Sequence, residues 1–183
     1  MGSPLGPTLA NIFMCHYEKI WLQDCPTSFK PCKYFRYVDD TLLLFRSSNH
    51  IKLFLNYLND KHPTIKFTHE VESNGSLPFL DINISRDNNH FTTSVYRKPT
   101  YTGLTTKFSS YIPIKYKSNL VSILIYRAFK ISKNYHIFHQ EVEFIISILK
   151  LNSFPLNFIF NIIRKTVNKL VSPQSTPYLS QRI

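Results

Sequence analysis

Acidic residues are in short supply: 11 Asp and Glu stand against 22 Lys and Arg, for a formal net charge of +11. That balance disfavours a basic or neutral partner and favours a polyanion, either nucleic acid or an anionic membrane surface. The shortage is uneven, because residues 88–140 contain no Asp or Glu. Long apolar runs are missing too. Stretches such as 41–45 and 144–149 fall far below the roughly 20 residues that cross a bilayer, which argues against a membrane-spanning helix. No secretory signal opens the chain. Cysteine is confined to Cys15, Cys25 and Cys32, an odd number without paired zinc spacing. This excludes a disulfide scaffold and fits reduced thiols inside a cell. Internal repeats and long linkers are absent as well.

What is present suffices for a packed protein. A chain of 183 residues with 43% hydrophobic content can bury the core of one compact domain, or of a domain with a small appendage. Its centre of interest is Phe35-Arg36-Tyr37-Val38-Asp39-Asp40-Thr41-Leu42-Leu43-Leu44-Phe45. Strand formers on both sides of two carboxylates predict a tight hairpin with Asp39-Asp40 at its tip. Asp is also an ordinary turn residue. Two carboxylates on a rigid tip nevertheless suit Mg²⁺, which takes one or two protein carboxylates and completes its shell with water and substrate phosphates. The chemistry so indicated is phosphoryl transfer.

Upstream, Pro7 suits the first position of a helix that starts near Thr8, with Leu9, Ile12, Phe13, Tyr17 and Ile20 as its inward face. Downstream, residues 48–62 read as an amphipathic helix capped by Ser48, burying Ile51, Phe54, Leu55 and Leu58 and stopped by Pro63. Residues 65–72 alternate as a half-buried strand, and Asn74-Gly75 supplies a hairpin turn. Residues 77–85 and 90–97 are the next strands, with Asp81 on a solvent face. Three helices follow, spaced by Leu120, Leu124, Ala128 and Ile131, by Val142, Ile145, Ile146 and Leu149, and by Ile159, Ile162, Ile163, Val167 and Leu170. The last two, joined by Asn152-Ser153-Phe154-Pro155, satisfy a helix-turn-helix template. The expected class is α+β.

Gly2-Ser3-Pro4-Leu5-Gly6-Pro7, then a helix, then Tyr37-Val38-Asp39-Asp40 on a hairpin, resembles the second half of a reverse transcriptase palm. Leu77-Pro78-Phe79-Leu80-Asp81, Val95-Tyr96-Arg97-Lys98-Pro99-Thr100, Ser110, Pro113, Tyr116-Lys117 and Arg127-Ala128 are similar to reverse transcriptases of Penelope-like retroelements, a resemblance that extends to about Pro155. It implies a partial palm over residues 1–98, with a primer-gripping hairpin around residues 77–82. A basic, helical, thumb-like bundle over 99–171 and a tail over 172–183 would follow.

By the same resemblance, Gly2, Ser3 and Pro4 line the template and incoming nucleotide, and Asp39, supported by Asp40, is the catalytic Mg²⁺ ligand. The family's other metal-binding Asp and its basic fingers precede this stretch, so the expected fragment is inactive alone. In the complete enzyme the activity is RNA-directed DNA synthesis on an RNA template and DNA primer with dNTP substrates, inside the cell and in the nucleus, with no membrane partner.

Within the acid-free stretch, Arg97, Lys98, Lys107, Lys115, Lys117, Arg127, Lys130 and Lys133 are interleaved with Tyr96, Tyr101, Tyr111 and Tyr116. This mixture suits phosphate contact together with base stacking. Arg97, Lys98, Lys107, Lys115 and Lys117 are the candidate nucleic-acid contacts. Two rival readings stand beside the polymerase: a non-catalytic nucleic-acid-binding module built on the helix-turn-helix-like helices, and an inactive retroelement relic.

Overall fold

A computed structural model describes residues 4–87 and 90–172. Among the described residues, five helices and two small antiparallel sheets make the fold α+β. The chain divides into two compact units, Met1–Glu72 and Ser73–Ile183, whereas the resemblance implied a division at 98/99. No helix among the described residues is long and apolar enough to cross a membrane.

In the first unit, α1 (Gly6–Asp24) carries its proline in the first turn, where a missing N–H costs nothing. A hairpin follows, β1 (Lys33–Tyr37) against β2 (Asp40–Leu44), and then α2 (Asn49–Lys61); Ser48 stands at its N-cap position, but its side chain makes no capping bond. Trp21, Cys25, Phe54 and Leu58 form the core, with Tyr17, Tyr34, Leu43, Phe45 and Phe67 packed around them. The inward face of α1 differs from the expected one. Leu9, Ile12, Phe13 and Ile20 are exposed, and the buried residues are Glu18 and Trp21. Burial of a carboxylate is tolerated when it is paired. Here Glu18 accepts from Tyr34 Oη at 2.6 Å and from Arg36 Nε at 2.8 Å, and that pairing turns the helix toward the hairpin.

The strand expected over 65–72 does not form. Its place is taken by one side chain. Asn59 of α2 accepts from the Phe67 N–H at 2.7 Å and donates to the Phe67 carbonyl at 3.2 Å. The amide thus supplies the two backbone bonds that a neighbouring strand would have supplied, and it seats the Phe67 ring edge-on to Trp21.

The second unit begins with Asn74 and Gly75, both at positive φ, between Ser73 and Ser76, which exchange two backbone bonds of 3.0 Å. This is the type I′ pattern expected of Asn-Gly. A meander follows in the order β3 (Ser76–Phe79), β4 (Ile82–Asp87), β5 (His90–Val95). The single strand expected over 77–85 is therefore folded back at Leu80-Asp81. Pro78 lies on β3 at the sheet edge, where its lack of an N–H is harmless. Helices α3 (Ile114–Ile131), α4 (Tyr135–Leu151) and α5 (Leu156–Val171) enclose Val121, Ile125, Ala128, Ile145, Leu149, Phe154 and Ile159. The sheet is tied to this bundle through Thr93, whose hydroxyl donates to the Ile131 carbonyl and whose carbonyl accepts from the Lys133 N–H.

Candidate nucleic-acid interface and carboxylate turn

Tyr37 pairs with Asp40 across the hairpin, so the two-residue turn is Val38-Asp39, one residue earlier than the expected Asp39-Asp40 tip, and Asp40 is the first residue of β2. Val38 sits at φ +56° and Asp39 does not share the positive φ, the pattern of a type II′ turn, whose first central position ordinarily takes glycine. For a β-branched residue this is an outlier, costing about 1–3 kcal/mol, and it persists only where neighbours enforce it. Arg36 is the enforcing neighbour. Its Nη1 donates to the Val38 carbonyl at 2.9 Å, its Nη2 donates to Asn11 Oδ1 at 2.9 Å, and its Nε is bound by Glu18.

The ion pair with Glu18 pushes the Arg36 guanidinium further up, so it remains charged. Burial, and then the bond to Glu18, pushes the Tyr34 phenol well above its usual range. Beyond this anchored base both carboxylates are exposed. Asp39 and Asp40 are hard oxygen donors that suit Mg²⁺. Among the described residues no His, Cys, Asp or Glu joins them in a group of three, so they would hold the ion by two carboxylates and water. Gly2 and Ser3 lie outside the described residues, and Pro4 is exposed in the turn before α1.

Asp81 occupies a similar turn. Leu80 takes φ +56°, and the exposed Asp81 carboxylate pairs with Arg127 at 3.2 Å. It therefore sits at a turn, where a strand face had been expected.

The five candidate contacts of the acid-free stretch separate into two kinds. Lys98, Lys107 and Lys115 are exposed. Arg97 and Lys117 are occupied within the protein. Arg97 forms a two-pronged pair with the buried Glu141 and lies 4.1 Å from the centre of the Phe144 ring. Lys117 is buried, and its Nζ donates to the carbonyls of Phe108 at 2.6 Å and Ser110 at 2.8 Å. Both therefore hold the 97–117 segment against the helices. A charge count along the sequence cannot see these partners, because Glu141 is 44 residues from Arg97.

The turn between α4 and α5 is closely specified. Phe154 N–H donates to the Leu149 carbonyl and Ser153 N–H to the Lys150 carbonyl, with Ser153 at φ +64°. These are the two bonds of a Schellman motif, and the contact of Leu149 with Phe154 in the core completes it. Asn152, buried at 2% exposure, donates to the Gly103 and Ile148 carbonyls and accepts from Thr105 N–H. Pro155 then caps α5.

Helix α5 holds residues that sequence reasoning passed over. Ile159, Ile162, Ile163, Val167 and Leu170 turn inward as expected, while Asn157, Asn161, Arg164, Lys165, Asn168 and Lys169 are exposed. An open groove of about 690 Å³ runs along this helix, lined in part by Asn157, Phe160, Asn161, Arg164 and Asn168. The helix contains no acidic residue. The available signal was the complement of the apolar stripe, since Asn at 157, 161 and 168 repeats at helical spacing.

Residues 104–164 match the animal helix-turn-helix domain family, a span that takes in α3, α4 and the first half of α5. No curated protein and no solved structure gives a significant match to the chain.

Proposed function

We propose that the helical region of the second unit binds duplex nucleic acid, with α4 and α5 as the two members of a helix-turn-helix. The observation that carries this reading is the α4–α5 turn, closed by its Schellman bonds inside the matched span, followed by a helix with an acid-free outer face. In such motifs the second helix enters the groove while the first crosses the backbone. Exposed Lys98, Lys107, Lys115, Lys165 and Lys169 supply charge for phosphates, and such contacts position a duplex without reading it. The test is fluorescence anisotropy of the full chain on a 30-base-pair DNA over a series of salt concentrations. Affinity should fall steeply with salt; a folded chain that binds no duplex at low salt overturns the proposal.

A second reading has its own support in the first unit. The strained turn that presents Asp39 and Asp40, braced by Arg36, suits a palm remnant of an RNA-directed DNA polymerase of the Penelope-like kind. The metal, when bound, would activate a primer hydroxyl and neutralise phosphate charge. The chain's own contribution is to hold one carboxylate, Asp39, in the turn and a second, Asp40, at the adjoining start of β2. Titration of Mg²⁺ against backbone amide shifts should move residues 37–41 at millimolar metal. Absence of any shift at the tip would remove the basis for this reading.

A further inference from the structure

Helix α5 has three features that an ordinary solvent-facing helix does not need. At about 100° per residue, Asn157, Asn161, Arg164 and Asn168 fall within a stripe roughly 60° wide, and all four are exposed. Phe160 stands at the edge of that stripe, half exposed. Asn is a poorer helix former than Lys, Glu or Gln, yet it occupies three outward positions of this helix and no acid occupies any.

Each of these side chains has a partner on a base edge. Asn can take adenine by its N6 and N7, Arg takes guanine by O6 and N7, and an aromatic ring can cover the thymine methyl. From Asn157 to Arg164 the helix rises about 10 Å, close to three base-pair steps at roughly 3.4 Å each. Lys165 and Lys169 lie beside the stripe, away from Phe160, where groove walls and phosphates would be.

Resting on the helix-turn-helix reading, we infer that α5 reads base edges in the major groove of B-form DNA through Asn157, Phe160, Asn161 and Arg164, and prefers a short site containing adenine, thymine and guanine. The substrate class follows from groove shape. A-form duplexes, including the RNA–DNA heteroduplex, have a deep, narrow major groove that side chains cannot read. This region therefore selects double-stranded DNA, and an RNA–DNA primer-template is not what α5 recognises.

The experiment selects sites for the full chain from a randomised 16-base-pair DNA library. It then compares the enriched duplex, a scrambled duplex and the RNA–DNA hybrid of the enriched sequence by anisotropy. The enriched DNA should bind at least about 10-fold more tightly than the other two. Asn157→Ala, Asn161→Ala and Arg164→Ala should each lower affinity for the enriched site by roughly 5- to 150-fold while leaving the scrambled duplex nearly unchanged, apart from the phosphate share of Arg164. Lys165→Ala should reduce the salt slope by about one and leave selectivity intact. All four positions are exposed, and Ala favours helix, so circular dichroism should show the fold retained. Equal binding of all three duplexes, or selectivity that survives the three changes, overturns the inference and leaves duplex binding standing. Loss of binding to every duplex overturns both.

Discussion

Arg97 and Glu141 illustrate how one side chain can be mistaken for a ligand contact. Arg97 lies in a basic, tyrosine-rich stretch, yet burial beside Glu141 makes it part of the packing. Removing one partner of a buried pair leaves an uncompensated charge, a loss of about 3 kcal/mol. Arg97→Ala should therefore lower the thermal midpoint while leaving duplex affinity, measured on the folded fraction, within about twofold. Lys98→Ala should do the reverse. Tyr34 offers a second test at this scale. Its folded pKa is raised above an unfolded value of about 10, so its contribution is complete below pH 10 and is lost as pH climbs from there toward the folded value. Trp21, the single tryptophan, is buried in the same core and reports on it. The urea midpoint from its emission should fall more steeply above pH 10 in the wild type than in Tyr34→Phe. The buried thiol of Cys25, also pushed up by burial, adds the same slope to both.

Among the elements, the α4–α5 turn is the one most closely fixed by local chemistry. Ser153 takes a left-handed conformation that favours glycine. Ser153→Gly should raise stability by roughly 0.5–1 kcal/mol, measured by denaturant unfolding, with duplex binding unchanged. Asn152→Ala should act in the opposite sense. It leaves the Gly103 carbonyl and the Thr105 N–H without their side-chain partner, and the expected loss is about 2–4 kcal/mol. Because the Asn152 side chain holds the Thr105 N–H, that variant should show faster amide exchange at Thr105, while Phe108, bonded to the backbone carbonyl of residue 152, should change less. Equal exchange in wild type and variant would mean that the segment is held by other contacts. The hairpin of the first unit works differently, since its strain is held by Arg36 reaching back to Val38.

At the scale of the whole molecule, the formal charge of +11 overstates what can meet phosphate. Arg36, Arg97, Lys117 and Arg127 have intramolecular partners. If about three to five phosphates are neutralised by the exposed lysines and Arg164, the log–log slope of affinity against salt should be roughly −2.7 to −4.5. A slope near zero would mean that the exposed cations do not touch nucleic acid. Each unit has its own core. The carboxylate turn lies in one unit and the candidate recognition helix in the other.

Periodicity and turn chemistry by themselves determined most of the elements. Pro7 and Pro63 bounded two helices, Asn74-Gly75 marked its turn, and the apolar spacings placed α3, α4 and α5, because these signals act over a few residues. Tertiary structure decided what depends on partners distant in the chain. Glu18 chose the buried face of α1 through Tyr34 and Arg36, and Asn59 replaced a strand at Phe67. Glu141 and two carbonyls took Arg97 and Lys117 out of the candidate interface. In each case a buried or half-buried polar group had to be satisfied. The partner that satisfied it lay 7 to 44 residues away, and apolar periodicity does not encode such polar pairings.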